Sequence, residues 1–205
     1  MRKILWICVA AVALSIARPH LTRLLDGRQP RVAVAADSRR ATVVVQEGEH
    51  FSPWEDLEQL DIAKLRTAKE TADIAMYSFT DRQLAEVVRE LGARHVKVRL
   101  YRDQAQYRDE QRAALRFQEL ATTEMFRGQA SIQVRVKQGS DRNLMHQKAY
   151  CLDRRVLRDG SANWSPGGEK SQDNNARFTD DARQIEAFER AFESMWSRRT
   201  NLVVQ

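Results

Sequence analysis

The chain has 205 residues, of which 42% are hydrophobic, 30% charged and 7% aromatic, and its formal net charge at pH 7 is +6. This composition excludes a disordered or fibrous protein and predicts one folded domain with a buried core. The basic balance favours anionic partners, such as nucleic acid or acidic lipid head groups.

The first 17 residues differ in kind from the rest. Arg2 and Lys3 precede an uncharged run from Ile4 to Ile16, and Ser15-Ile16-Ala17 forms a small-x-small cleavage site. This pattern is typical of a secretory signal peptide, so we predict a signal over residues 1–17 and a secreted or periplasmic protein. An uncleaved signal anchor at a membrane is the alternative, although the run is shorter than the roughly 20 apolar residues of a usual span.

Residues 18–40 have neither helical nor strand periodicity and are interpreted as a linker, which places the domain at residues 41–205. The sequence has two cysteines, Cys8 in the apolar run and Cys151 downstream. A chain cleaved after residue 17 therefore keeps one thiol and forms no internal disulfide.

Within the domain, predicted strands and helices alternate. Strands are predicted from β-branched content and period-two alternation at residues 42–46, 72–79, 94–101 and 131–137. Helices are predicted from apolar spacing at residues 54–70, 80–92, 103–127 and 181–198, with Gly92 and Gly128 as stops. A polar loop is expected at residues 166–175. The alternation predicts an α/β fold in which helices sandwich a mixed β-sheet.

Two of these strands combine an apolar face with a basic one. Val96, Val98 and Leu100 alternate with basic residues in the first, and residues 132–136 repeat the pattern in the second. A basic strand face is either the wall of a nucleic-acid groove or the solvated face of a basic protein, and the pattern favours neither.

The segment from Leu144 to Ser165 contains side chains suited to phosphate chemistry. If it is extended, alternation places His146, Lys148 and Tyr150 on one face, so that an imidazole and an ammonium lie side by side. A lone histidine in a strand is more often structural, so this pair needs support from its surroundings.

The same segment ends in a second polar group of residues. Gly160 permits close backbone approach, and Ser161 and Asn163 can aim a hydroxyl and an amide in the same direction. Gly-Ser-Ala-Asn alone is an ordinary turn. Together with the imidazole and the ammonium, however, these donors would complete a phosphate-sized site.

The joint spacing is more informative than any single residue. It reads His146-x-Lys148-x4-Asp153-x6-Gly160-Ser161-x-Asn163 and resembles the signature of the phospholipase D superfamily. The chain has one copy of this motif and resembles the short branch, which includes bacterial secreted endonucleases and the mitochondrial cardiolipin hydrolase relatives. The resemblance extends beyond the motif to Tyr77-Ser78-Phe79-Thr80-Asp81 and the closing aromatic helix.

The resemblance implies a phosphodiesterase in which His146 attacks phosphorus and forms a covalent phosphohistidine. Lys148 and Asn163 would act with it, and the phosphate oxygens would be bound by Lys148, Ser161 and Asn163. Short members dimerise to bring two motifs together, so we expect a homodimer with a shared site. There His146 of the partner subunit would protonate the leaving oxygen and then activate water.

The remaining motif residues and the metal question follow from the same resemblance. Asp153 and Gly160 are expected to be structural. The scheme needs neither metal nor cofactor, and the four histidines and two cysteines show no ligand spacing. We therefore predict activity that survives EDTA.

One position departs from the family pattern. Many short members carry a carboxylate about eleven residues after the motif asparagine, where it hydrogen-bonds the nucleophilic histidine; here that residue is Asn174. Asn174 could orient the ring but supplies no negative charge, and neighbouring Asp173 could substitute for the carboxylate.

These observations lead to three functional hypotheses. The first is a non-specific endonuclease acting on DNA or RNA, which the basic charge and the short single-motif length favour. The second keeps the site but hydrolyses a phospholipid, such as phosphatidylcholine or cardiolipin, to phosphatidate. The third is an inactive module that only binds nucleic acid or an acidic membrane.

Overall fold

The computed structural model describes residues 45–139 and 142–204. The predicted signal and linker lie outside these residues, as does most of the predicted strand at 42–46. The described strands are β1 (Gly48–Ser52), β2 (Thr71–Met76), β3 (Lys97–Asp103), β4 (Ile132–Lys137), β5 (Lys148–Leu152), β6 (Val156–Gly160), β7 (Asn174–Thr179) and β8 (Leu202–Val203). The described helices are α1 (Leu57–Leu65), α2 (Arg82–Ala93), α3 (Gln104–Phe117), α4 (Pro166–Lys170) and α5 (Ala182–Trp196), with a 3-10 helix at Thr122–Phe126.

The eight described strands form one mixed sheet in the order β1-β7-β6-β5-β2-β3-β4-β8. The pairs β2–β3 and β3–β4 are parallel, and the other neighbours are antiparallel. One apolar cluster includes residues of α1 and α2 and the inner strands, and a second includes residues of β5 and α5. The predicted α/β fold, a mixed sheet sandwiched by helices, is confirmed.

Aspartate side chains fix where several helices begin. Asp81 Oδ1 accepts hydrogen bonds from the backbone of α2, as Asp103 does for α3 and Asp181 for α5. The predicted helix at 54–70 is wrong in extent, because Asp56 caps α1 by accepting from the amide of Gln59. Such a cap satisfies amides that have no partner within the helix.

The predicted role of Gly92 is also wrong. Gly92 lies inside α2, which continues to Ala93. A Cβ atom at Gly92 would lie 2.7 Å from side-chain atoms of Ile132 on β4. Glycine at this position therefore permits close packing of the helix on the sheet rather than a left-handed helix end.

The single helix predicted at 103–127 is divided. α3 ends at Phe117, Gln118 adopts a left-handed φ of 55°, and the 3-10 helix follows. Thr122 anchors that second piece, because its Oγ1 contacts the carbonyl oxygen of Phe79 at 2.7 Å and a carboxylate oxygen of Glu110 at 2.5 Å. These long-range contacts override the local helical pattern.

The polar loop predicted at 166–175 is instead α4 followed by the start of β7. β7 was not predicted, because only Ala176 and Phe178 mark its buried face. It pairs with β1 on one side and β6 on the other, and the hydrogen bonds of these two pairings stabilise a strand that its own sequence does not indicate. None of the helices among the described residues is both long and apolar enough to cross a membrane.

The arginines of the basic strand faces contact aromatic rings of α5. The guanidinium of Arg99 lies 4.9 Å from the ring centre of Phe192, and that of Arg135 lies 4.6 Å from the ring of Trp196. Arg99 also pairs with Asp73 at 2.6 Å. Helix α5 thus packs against these two arginines, whereas Lys97 at the start of β3 is exposed, so the choice between a groove and a solvated face stays open.

Candidate active site

The imidazole and the ammonium predicted to be neighbours lie side by side. His146 is exposed just before β5, and Lys148 is the first residue of that strand. Lys148 Nζ lies 3.0 Å from Nδ1 and 3.1 Å from Nε2 of His146, and it donates to the His146 carbonyl oxygen at 2.8 Å. The two side chains can therefore act on one phosphate group.

Lys148 is a nearly buried cation without a counterion. Its residue is 6% exposed, and none of the ion pairs among the described residues includes it. Its Nζ lies 4.8 Å from the centre of the Tyr77 ring, and that ring lies 4.5 Å from the ring of His146. Burial lowers the pKa of Lys148 to about 8. An ammonium held in this way is ready to bind an anion.

The lowered pKa of Lys148 predicts a pH dependence. The group is charged below its pKa, so kcat/KM should fall roughly tenfold per pH unit above about pH 8 as the free enzyme loses this cation. A Lys148→Arg variant stays charged, and its kcat/KM should not fall over the same range. Initial rates from pH 6 to 10 test this; a wild-type profile that stays flat to pH 10 would contradict it.

The orientation of the Asn163 side chain follows from its hydrogen bond to the backbone of Ser78. Its Oδ1 accepts from the backbone amide of Ser78 at 3.2 Å, and because an amide N–H can only donate, this contact fixes which end of the side chain faces the backbone. Among the hydrogen bonds of the described residues, none uses Asn163 Nδ2. That group remains able to donate to a phosphate oxygen.

Ser161 is held by two hydrogen bonds to β7. Its Oγ donates to Asn174 Oδ1 at 2.9 Å and accepts from the amide of Asn175 at 3.0 Å. Gly160 makes this approach possible: its φ is +152°, and a Cβ there would lie 2.3 Å from the carbonyl oxygen of Asn175. A phosphate would have to replace one of these contacts to engage the Ser161 hydroxyl.

The position that departs from the family pattern contacts this serine. Asn174 Nδ2 also donates to the carbonyl oxygen of Gly168 at 3.0 Å and to Gln172 Oε1 at 3.3 Å. Asp173 beside it is exposed. Within the described residues, the hydrogen-bond partner of the His146 ring is Lys148, so orientation of the ring by Asn174 or Asp173 stays a prediction.

Asp153 lies at the other end of β5, in the turn that leads to β6. Its carboxylate accepts from the backbone amides of Lys69, Glu70 and Thr71 at 2.8 to 2.9 Å. Partial burial alone would raise the pKa of Asp153, but these three amides outweigh it and hold the pKa below its usual value. Its contacts fasten the β5–β6 turn to the start of β2, away from the candidate catalytic groups.

A charged cluster lies beneath the site, and no pattern in the sequence indicated it. Arg158 of β6 is fully buried, forms an ion pair with Asp61 at 3.0 Å, and lies 3.4 Å from Glu169 Oε1. Tyr77, which contacts both His146 and Lys148, was also missed as a site residue, although it lies in a segment that carried the family resemblance.

Glu169 predicts a pH dependence of stability. Burial and the negative charge of Asp61 raise the pKa of Glu169 to about 9, against the opposing effect of Arg158. The folded state thus keeps a proton that the unfolded state releases near pH 4.5, and the stability from this proton is lost as pH rises toward 9. Urea unfolding should show a smaller loss of stability between pH 6 and 9 for Glu169→Gln than for wild type. Parallel curves would contradict this assignment.

A cavity of about 570 Å³ opens beside the candidate catalytic pair. It runs from His146 and Lys148 to Phe188 of α5, and Leu157 of β6 and Arg177 of β7 also line it. This volume accommodates a phosphodiester with part of its leaving group. The described residues contain no group of histidine, cysteine, aspartate or glutamate side chains arranged to hold a metal ion.

Comparison with known sequences places this geometry in context. Residues 62–196 match the family described as "Cardiolipin synthase, PLD-like domain". The mitochondrial cardiolipin hydrolase of Homo sapiens is 31% identical over 134 residues, which are 65% of this chain and 48% of that protein. That of Chlamydomonas reinhardtii is 30% identical over 132 residues, 64% of this chain and 54% of that protein. The chain thus spans about half the length of these curated relatives.

Solved structures agree with the fold. NucT from Helicobacter pylori superposes with a TM-score of 0.62 at 22% identity, covering 74% of this chain and 95% of that one. Nuc from Salmonella typhimurium, described as a phospholipase D family member, gives 0.63 at 19% identity, covering 78% and 98%. At these identities the likeness is one of fold.

Proposed function

We propose, since the chain belongs to the phospholipase D-like family, that it hydrolyses phosphodiester bonds through a covalent intermediate on His146. The observation that carries this proposal is the contact of His146 with Lys148, a nearly buried ammonium that pairs with no carboxylate of the described residues. A phosphodiester is anionic, and an unneutralised cation beside a nucleophile offsets the repulsion that slows attack on it.

The reaction proceeds in two displacements. A ring nitrogen of His146 forms a bond to phosphorus as the bond to the leaving oxygen breaks. Lys148 Nζ and Asn163 Nδ2 donate to the non-bridging oxygens, where negative charge accumulates. Water then attacks phosphorus, the bond to His146 breaks, and a phosphomonoester is released.

The leaving oxygen needs a proton that His146 cannot supply while it acts as nucleophile. Within the described residues, the hydrogen-bond partner of the ring is Lys148, which is required as a cation. We therefore assign the acid to His146 of the partner subunit in a homodimer, where the same imidazole afterwards takes the proton from water. During turnover one ring must be neutral to attack phosphorus while the other is protonated to act as the acid.

The first candidate substrate is DNA or RNA, cleaved without sequence selectivity. The formal net charge of +6, which becomes +4 when Arg2 and Lys3 are removed with the proposed signal (6 − 2), supports a polyanionic partner. Binding should weaken steeply with salt, because neutralising backbone phosphates releases condensed counterions.

A phospholipid is the second candidate, and a specific surface favours it. Leu115 and Phe117 at the end of α3 are 81% and 65% exposed, and Leu120 just beyond is 61% exposed. Exposed apolar side chains of this size suit a lipid interface. The relatives named mitochondrial cardiolipin hydrolase support the same substrate class.

A two-substrate assay with and without EDTA tests the proposal. The purified protein is incubated with plasmid DNA and, separately, with cardiolipin or phosphatidylcholine vesicles. We expect plasmid cleavage that persists in EDTA. Loss with chelator and rescue by a divalent ion would contradict the mechanism, and turnover of lipid alone would reverse the substrate order. Turnover of neither would leave a module that only binds nucleic acid or membrane.

We also propose export through the N-terminal segment, which the basic start and uncharged run of residues 2–16 support. N-terminal sequencing of the protein recovered from the periplasm or medium should begin at Arg18. A protein that stays with the membrane and retains Met1 would indicate the uncleaved anchor instead.

A further inference from the structure

One buried arginine joins the two segments that carry the candidate catalytic residues. Arg158 is fully buried on β6, and its Nη1 donates to the carbonyl oxygen of Lys148 at 2.9 Å and to that of Ala162 at 3.2 Å. Lys148 carries the ammonium of the site, and Ala162 directly precedes Asn163. The guanidinium therefore ties the start of β5 to the loop that follows β6.

These two hydrogen bonds of Arg158 lie beyond the point where regular strand pairing joins β5 to β6. The register of β5 on β6 runs from Leu152 opposite Val156 to Tyr150 opposite Arg158, and it ends there. At the catalytic end, the carbonyl group of Lys148 receives a hydrogen bond from a side chain in place of a strand partner. A donor at this point thus controls the spacing of β5 and the motif loop.

Buried acceptors hold the guanidinium in one orientation. Arg158 Nη2 lies 3.0 Å from Asp61 Oδ2, and neither side chain is exposed. Asp61 also accepts from Trp164 Nε1 and from the hydroxyl of Tyr150, both at 2.9 Å. Charge-assisted hydrogen bonds in a low-dielectric interior are strong and directional, so Asp61 fixes the plane of the arginine fork.

Stability alone does not account for such a cluster. Replacing a buried ion pair by apolar residues is often neutral or stabilising, because removing charges from water is costly. An apolar side chain at Arg158 could not, however, donate to two carbonyl oxygens at once. The feature that requires arginine here is the directed link between Lys148 and Ala162.

We propose that Arg158 is a positioning residue, which sets the distance between the Lys148 ammonium and the Asn163 amide by holding the backbone of both segments. The inference rests on the proposed phosphodiesterase function. A misplacement of about 1 Å in such a site can cost roughly a hundredfold in rate. Arg158 thus acts on the reaction through the backbone without touching the substrate.

The test is an Arg158→Lys variant, which keeps the positive charge but has no fork to reach both carbonyl groups. Arg102→Lys is the matched control, because Arg102 is equally buried and paired with Glu110 at 2.9 Å, but it donates to side chains outside the motif. Kinetics on bis(p-nitrophenyl) phosphate and melting temperatures are measured for both variants and wild type.

We expect both variants to lose similar stability, whereas Arg158→Lys alone loses about 10- to 100-fold in kcat with KM within about threefold. An Arg158→Lys kcat within about twofold of wild type, or an equal loss in both variants, would overturn the positioning role. No turnover by wild type would remove the proposed function itself, an outcome distinct from either of these.

A second variant keeps the inference testable if Arg158→Lys does not fold. The triple change Arg158→Met, Glu169→Leu and Asp61→Asn replaces the charged cluster by neutral groups of similar size, and proteins often tolerate such an exchange of a whole buried ion cluster. We expect it to fold and to show the same loss in kcat. A folded triple variant with wild-type kcat would overturn the proposal.

Discussion

The His146→Asn variant is expected to lose at least about a thousandfold in phosphodiesterase activity while remaining folded. The substitution removes the atom that would bond to phosphorus. The residue is exposed and makes its ring contacts with Lys148 and Tyr77, so little packing is lost. Initial rates on plasmid DNA and on bis(p-nitrophenyl) phosphate measure the effect, and circular dichroism and melting temperature establish folding.

His95→Asn is the matched control for this substitution. His95 is exposed in the turn after α2 with a φ of 63°, a conformation that asparagine adopts readily. The control should retain wild-type rates. Substantial residual activity in folded His146→Asn would show that another group supplies the nucleophile.

When wild type is mixed with His146→Asn under conditions of subunit exchange, the specific activity should fall further than the wild-type fraction alone accounts for. A shared site needs one His146 from each subunit, so at equal amounts about one quarter of the dimers are active, whereas independent sites would leave about one half of the activity. The specific activity of the mixture, measured after equilibration, separates the two values.

The same mixing with His95→Asn should cause no loss, which controls for damage during exchange. Sedimentation or light scattering on the same samples gives the oligomeric state. Activity that falls only in proportion to the wild-type fraction would contradict a shared site, and the acid for the leaving oxygen would then lie within one chain.

The candidate catalytic pair could be predicted from the sequence because its geometry is local. His146 and Lys148 are two residues apart at the start of a strand, and the alternation of an extended chain places them together whatever surrounds it. The same reasoning correctly predicted that Val98 and Leu100 of β3 are buried. A strand can therefore be predicted where apolar residues alternate with polar ones over several positions and the apolar ones are buried in the fold.

Contacts between distant segments could not be predicted in this way. Arg158 lies in a short strand where it could equally face solvent, and only the fold brings Asp61 and Glu169 to it. The local pattern likewise failed at Gly92 in α2, where a Cβ atom would lie too close to the side chain of Ile132 on β4. The role of a buried charged residue or of a glycine becomes clear only from the residues that it contacts, and here those residues are distant in sequence.

Asn174 shows how a departure from a family pattern acquires a physical meaning. Here its amide oxygen accepts from the Ser161 hydroxyl, and its nitrogen donates to the carbonyl oxygen of Gly168. A carboxylate at this position could accept the hydrogen bond from the Ser161 hydroxyl but could not donate one to the carbonyl oxygen of Gly168. Asparagine thus fits the local hydrogen bonds, and any carboxylate that acts on His146 must come from a neighbour such as Asp173.

The covalent intermediate is the central claim, and peptide mass spectrometry after rapid alkaline quenching tests it most directly. During turnover of bis(p-nitrophenyl) phosphate, one p-nitrophenolate leaves and the wild-type peptide that contains His146 should carry a p-nitrophenylphosphoryl adduct on the imidazole, whereas the His146→Asn peptide should carry none. Full turnover without an adduct, or an adduct on another residue, would contradict the account.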